Sequence, residues 1–222
     1  MPFSEEQFLR VFAEYNRAVW PAQLLLYAAA VTAVFLAARS RPRSDKLVAA
    51  LLALLWLWMG VVYHLLFFAT ISKAAYAFGA LFVVEALLFS ALAVQKAPVT
   101  FHLRPDARGA CAAALFTYSL IAYPVLGHLL GRVYPAAPTF GLPCPTTIFT
   151  FAVLLCAEGE VPARLLPIPL AWSVLAETAA LKLGVTEDYA LIPAGLLSTA
   201  LIASRNRKLR EGKKVLHSAA YQ

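Results

Sequence analysis

The sequence predicts an all-α integral membrane protein: a bundle of seven transmembrane helices with a short N-terminal interfacial helix. Three observations predict it. Of 222 residues, 61% are hydrophobic and only 14% charged, whereas a soluble domain is about half apolar and a quarter charged. The mean hydropathy is +0.71. The apolar residues also fall into runs near the roughly 20 residues that a bilayer demands, separated by short polar or Pro/Gly-containing joints.

The first element is amphipathic. Ser4 is a natural N-cap, and Glu5 and Glu6 in the first turn complement the helix dipole over residues 4–18. Phe8, Val11, Phe12 and Tyr15 follow the i, i+3, i+4, i+7 spacing of one helix face, as in a helix lying on a membrane or capping a bundle. Residues 1–18 therefore form an outer capping helix, 19–203 the transmembrane domain and 204–222 a basic cytoplasmic tail. No basic stub precedes a short apolar core at the N-terminus, so a cleavable signal peptide is not expected.

The apolar runs are 18–38, 47–69, 74–95, 110–130, 142–157, 165–181 and 184–203. The first four have 21 to 23 residues, but 142–157 and 165–181 have only 16 and 17, at the lower limit for a crossing. Five crossings, with 142–181 re-entrant, are the alternative. Seven are preferred because a hairpin tip would carry Glu158, Glu160 and Arg164 into the membrane, at high cost. Orientation follows from the cations. Joints after runs one, three, five and seven hold fourteen: Arg39, Arg41, Arg43 and Lys46; Lys96, Arg104 and Arg108; Arg164; and six in the tail. The opposite side has five: Arg10, Arg17, Lys73, Arg132 and Lys182. Cytoplasmic joints carry the Lys/Arg excess, so the N-terminus lies outside and the C-terminus in the cytoplasm. The net charge of +7 thus reads as a topology signal and not as a nucleic-acid footprint.

Within this frame a few residues can carry chemistry. Glu85 falls at the bilayer midplane, where an ionised acid costs about 2.5–3.5 kcal/mol on insertion scales; it is either a proton or cation site or a protonated packing residue. His64, His128, Glu177 and Cys144 come at similar depth near the outer leaflet. Imidazole and thiolate make His64, His128 and Cys144 a candidate metal or redox set, against which stand ordinary interfacial hydrogen bonds. Pro135, Pro138, Pro143 and Pro145 forbid regular structure before run five, so the joint is a stiff loop. Pro145 with Thr146 and Thr147 then opens a helix. The loop 134–147 can gate an outer vestibule into which Tyr134, Phe140, Cys144, Thr146 and Thr147 face, or it can be a rigid lid. Cys111, Cys144 and Cys156 have neither disulfide-framework nor zinc spacing. The last run holds no lysine for a retinal Schiff base, and nucleotide loops, nucleophile elbows and HExxH are absent. No catalytic motif and no cofactor signature is present, which weighs against an enzyme.

YNRAVWPAQ at 15–23, WMGVVYHLLFF at 58–68, AAYAFGALF at 74–82 and PTFGLPCPTTIFTFAVLL at 138–155 together resemble an uncharacterised family of bacterial polytopic membrane proteins of about seven spans. The Pro-Cys-Pro-Thr-Thr segment is the most specific part. The resemblance implies a multi-pass protein of the bacterial cytoplasmic membrane, gives weight to Tyr15, Asn16, Trp20, Pro21, His64, Cys144, Thr146 and Thr147, and supplies no activity. The expected function is binding, and passage, of a small solute or ion through an outward vestibule, with Glu85 at the midplane and His64 and Glu177 in the vestibule. A metal or redox protein and a non-catalytic subunit or scaffold are the rivals. The expected partners are the lipid bilayer, a small solute or ion, and a second copy or another membrane subunit.

Overall fold

The computed structural model describes residues 3–39, 42–95 and 99–219. Arg41 and Lys96 of the basic joints and the last three tail residues lie outside them, as does the side chain of Arg43. Apart from two isolated β-bridges, the regular structure among the described residues is helical. The helices are α1 (Glu5–Val19), α2 (Ala22–Arg39), α3 (Pro42–Trp58), α4 (Ala74–Val94), α5 (Ala107–Thr117), α6 (Tyr123–Leu129), α7 (Pro143–Leu155), α8 (Pro167–Leu183) and α9 (Leu191–Ala219). α3 continues as a π-helix over Met59–Phe67, and α5 is joined to α6 by a second π-helical turn, Tyr118–Ala122. Among the described residues, five stretches are long and apolar enough to cross a bilayer: Ala22–Arg39, Ser44–Thr70, Ala74–Val94, Ala107–Leu129 and Ala163–Leu183.

Local sequence explains the boundaries. Ser4 caps α1 as expected, closing a reciprocal box in which its hydroxyl accepts from Gln7 N–H and Gln7 Oε1 accepts from Ser4 N–H. α1 buries Val11, Phe12 and Tyr15 and turns its acids and Arg10 outward. α4 has no polar side to turn. It buries Phe82 and Phe89 while leaving Leu81, Val84 and Leu87 exposed, a pattern that suits lipid and not water around it. α3 and α4 meet closely because Gly60 has no side chain: a Cβ there would stand 3.0 Å from the Gly79 carbonyl oxygen.

α7 departs from the expectation for run five. It has 13 residues, about 20 Å at 1.5 Å per residue, well short of the roughly 30 Å hydrocarbon core. Twelve of them are buried, because α7 is packed by α2, α5, α8 and α9. It is a central post and not a lipid-facing rod. It also begins at Pro143, two residues before the expected start, with Leu142 as cap and no capping side chain. Thr146 instead accepts the Gly141 N–H at 3.2 Å, fastening the loop end, and Thr150 donates to Thr146 O. α9 runs on without a break from the apolar segment through the basic one to Ala219.

The joints sort into two ends. At one, Leu103 N–H donates to Ala37 O, Phe101 N–H to Asp45 Oδ1, His102 N–H to Cys156 O and Glu158 N–H to Thr100 O. Glu158 pairs with Arg104 at 3.0 Å, Asn206 brackets the Val161 backbone, and Arg210 pairs with Glu160. At the other end α1, the proline-rich loop and the α8–α9 joint meet around Asn16 and Arg132.

Candidate functional site

Asn16, fully buried, ties α1 to the proline-rich loop. Its amide donates to Pro135 O at 2.6 Å and Ala137 O at 2.7 Å, while its oxygen accepts from Gln23 at 2.6 Å and Thr139 at 2.9 Å. Tyr134 Oη donates to Asn16 O, and Trp58 Nε1 to Tyr15 Oη at 2.8 Å. The loop is thus held by its own backbone carbonyls, which prolines leave without ladder partners. On its far side Arg132 forms a two-pronged ion pair with buried Glu187, at 2.8 and 2.6 Å, and donates to Gly184 O. This pairing holds the Arg132 guanidinium above its ordinary pKa.

These ties frame a cavity of about 270 Å³. Phe3, Phe8 and Phe12 of the α1 segment cover it; Tyr63, Phe68 and Phe78 form one wall; Trp172, Ala176 and Ala180 of α8 form another. Its floor is polar: Tyr123, Cys144 and Asp188. Asp188 is buried and accepts a hydrogen bond from Tyr123 Oη, and the Cys144 thiol faces the same carboxyl group. The cavity is partly open, and its exposed lining residues Ala74, Leu175 and Thr178 stand on α4 and α8, so the mouth lies between those helices. Both π-helical turns deliver residues here. The first carries Tyr63. The second leads into Tyr123, where Pro124 cannot donate to the preceding turn. Such turns cost stability and concentrate at functional sites.

Of the residues expected in the vestibule, only Cys144 lines this cavity. His64 lies behind Trp172 in a shell of rings, its centroid 4.6 Å from Phe82, 5.1 Å from Trp172 and 5.8 Å from Phe78. Both its nitrogens are buried without hydrogen-bond partners among the described residues, as are both oxygens of Glu85 and the Thr147 hydroxyl. Glu177 accepts the Ile192 N–H at 3.2 Å, joining α8 to α9. Phe140 packs on Tyr27 and Phe149, and half-exposed Tyr134 serves Asn16. The candidate metal ligands are not gathered: His64 is buried and His128 exposed, because similar depth does not fix which side of a helix a residue occupies. Among the described residues no three His, Cys, Asp or Glu side chains are grouped to hold a metal ion.

Asp188, Tyr123 and Trp172 are the site residues that sequence reasoning passed over. Asp188 carried a signal, an acid pair in Thr-Glu-Asp near the start of the last apolar run; Tyr123 and Trp172 carried none beyond being aromatic. Residues 5–213 match the model of a family described as a family of unknown function, DUF6064, and the chain belongs to that family. No curated protein and no solved structure matches it.

Proposed function

We propose that this DUF6064 chain is a seven-crossing bundle of the bacterial cytoplasmic membrane, N-terminus outside and C-terminus cytoplasmic, that binds a small, mainly apolar solute beneath α1. What supports seven crossings is the sorting of joints: α2–α3, α4–α5, α7–α8 and the second half of α9 meet at one end, while α1, α6–α7 and α8–α9 meet at the other. The short α7 crosses inside protein, where its length matters less. The cation bias puts the first group inside. Single cysteines at Lys73 and Lys208, in a chain freed of its own cysteines, test this with an impermeant maleimide on right-side-out vesicles. Lys73→Cys labels in intact vesicles and Lys208→Cys only after lysis; labelling of both, or neither, in intact vesicles refutes the arrangement.

The observation that carries the binding role is the cavity itself. At about 270 Å³ it is nearly twice the roughly 150 Å³ that accepts benzene in an engineered core. Its ring-lined wall with a few convergent polar groups is the usual make-up of a small-molecule site. Benzyl alcohol, titrated into protein in nanodiscs, quenches Trp172 fluorescence saturably, and Ala176→Phe, which fills the space, abolishes that response. Equal responses from both proteins would remove the proposal.

Onward passage of a proton or cation is a second role, favoured by Glu85 and His64, whose buried polar atoms have no partners among the described residues. It predicts that Glu85→Gln stops flux in proteoliposomes while leaving the quench by benzyl alcohol intact.

A further inference from the structure

The floor and walls of the cavity differ in a way that selects among apolar solutes. The floor holds a carboxyl group, Asp188, whose partners Tyr123 and Cys144 are both neutral donors. Arg132, a cation at the same end of the bundle, is spent on Glu187 through both of its carboxylate oxygens. Asp188 itself has no ion pair among the described residues. A buried carboxyl group with hydrogen bonds but no ion pair of its own is costly to ionise, and a bound cation would offset that cost. The walls supply the other half. Phe8, Phe12, Tyr63, Phe68, Phe78 and Trp172 surround the space, and aromatic rings attract a cation through their quadrupoles while also accepting its methyl groups or chain. An anion would meet both the carboxylate and the rings' negative faces, and a metal ion would find too few ligands.

We infer that the solute is a small organic ammonium ion, its charged head on Asp188 and its apolar part among the rings. This rests on the binding role proposed above and names its substrate class. The ammonium group can belong to a free amine or to the headgroup of a membrane lipid, since the mouth lies between α4 and α8.

The test compares choline with 3,3-dimethylbutan-1-ol, in which carbon replaces the charged nitrogen at nearly unchanged shape, by Trp172 quenching in phosphatidylglycerol nanodiscs. Choline is expected to bind about tenfold or more tightly than the alcohol. Asp188→Asn, which keeps an oxygen to accept from Tyr123, should bring choline down to the level of the alcohol. Phe12→Leu should weaken choline several-fold and spare the alcohol; the melting temperature of each variant shows that it is folded. Equal affinity of choline and the alcohol in the unaltered protein overturns the inference and leaves the binding role standing. Failure of choline, the alcohol and benzyl alcohol alike removes the binding role itself. Discs containing phosphatidylethanolamine then separate the sources. A weaker apparent affinity for choline there identifies a lipid headgroup; an unchanged one identifies a free amine.

Discussion

Breaking the Arg132–Glu187 pair should damage the site more than any other single change at that end. Glu187 is fully buried and the Arg132 side chain is 13% exposed, with two hydrogen bonds of 2.6 and 2.8 Å between them and a third from Arg132 to Gly184 O. Removing the arginine leaves an acid that cannot reach water, and loss of one partner of a buried pair costs about 3–5 kcal/mol. Replacing both partners by apolar residues removes the desolvation cost along with the attraction and is often neutral. Arg132→Met alone should therefore lower stability by about 3 kcal/mol or more, and Arg132→Met with Glu187→Met should recover most of it. For a chain of this size 1 kcal/mol corresponds to about 2–4 °C, so the single variant should melt roughly 6–12 °C lower. Melting followed by intrinsic fluorescence in one detergent gives the cycle. A shift under about 2 °C for Arg132→Met, or a double variant worse than the single, would refute the account of this pair as a buried clamp.

Asn16→Ala should unfasten the proline-rich loop from α1. Four hydrogen bonds are lost, at about 2–4 kcal/mol together, and limited proteolysis should then cut within 133–142 while the bundle stays intact. Gly79→Leu should cost about 1–3 kcal/mol of stability, since even a Cβ there meets Leu65 at 2.6 Å and the Gly60 oxygen at 3.1 Å; an unchanged melting point would contradict the close α3–α4 approach. Asp106 caps α5 through the Gly109 N–H, which with Arg108 holds its carboxyl below the ordinary value of 3.8. Its contribution is present above that value and lost as pH falls through the lower folded one. The melting difference between the unaltered chain and Asp106→Ala should therefore shrink as the pH is taken below about 4, and a difference that grows on acidification would reverse the assignment.

Composition and local signals were enough for the all-helical class, the apolar runs, the start of α1 at Ser4 and its buried face, because each rests on residues within one turn of one another. The same signals left the surroundings of α7 undetermined. A run apolar on all sides reads alike whether lipid or protein surrounds it, and only packing by α2, α5, α8 and α9 made this one a buried post. Depth could be counted along each helix, so His64 and His128 came out level. Rotation about the axis could not, and tertiary packing turned one into a shell of rings and the other outward. The floor of the cavity shows the limit most clearly. Tyr123, Cys144 and Asp188 come from three distant parts of the chain. What joins them is the π-helical turn before Tyr123, the fastened loop before Cys144 and the short 3₁₀ turn carrying Asp188. Charge counts and periodicity report what each segment prefers alone; which buried acid ends beside which ring is decided only when the segments compete for the same interior space.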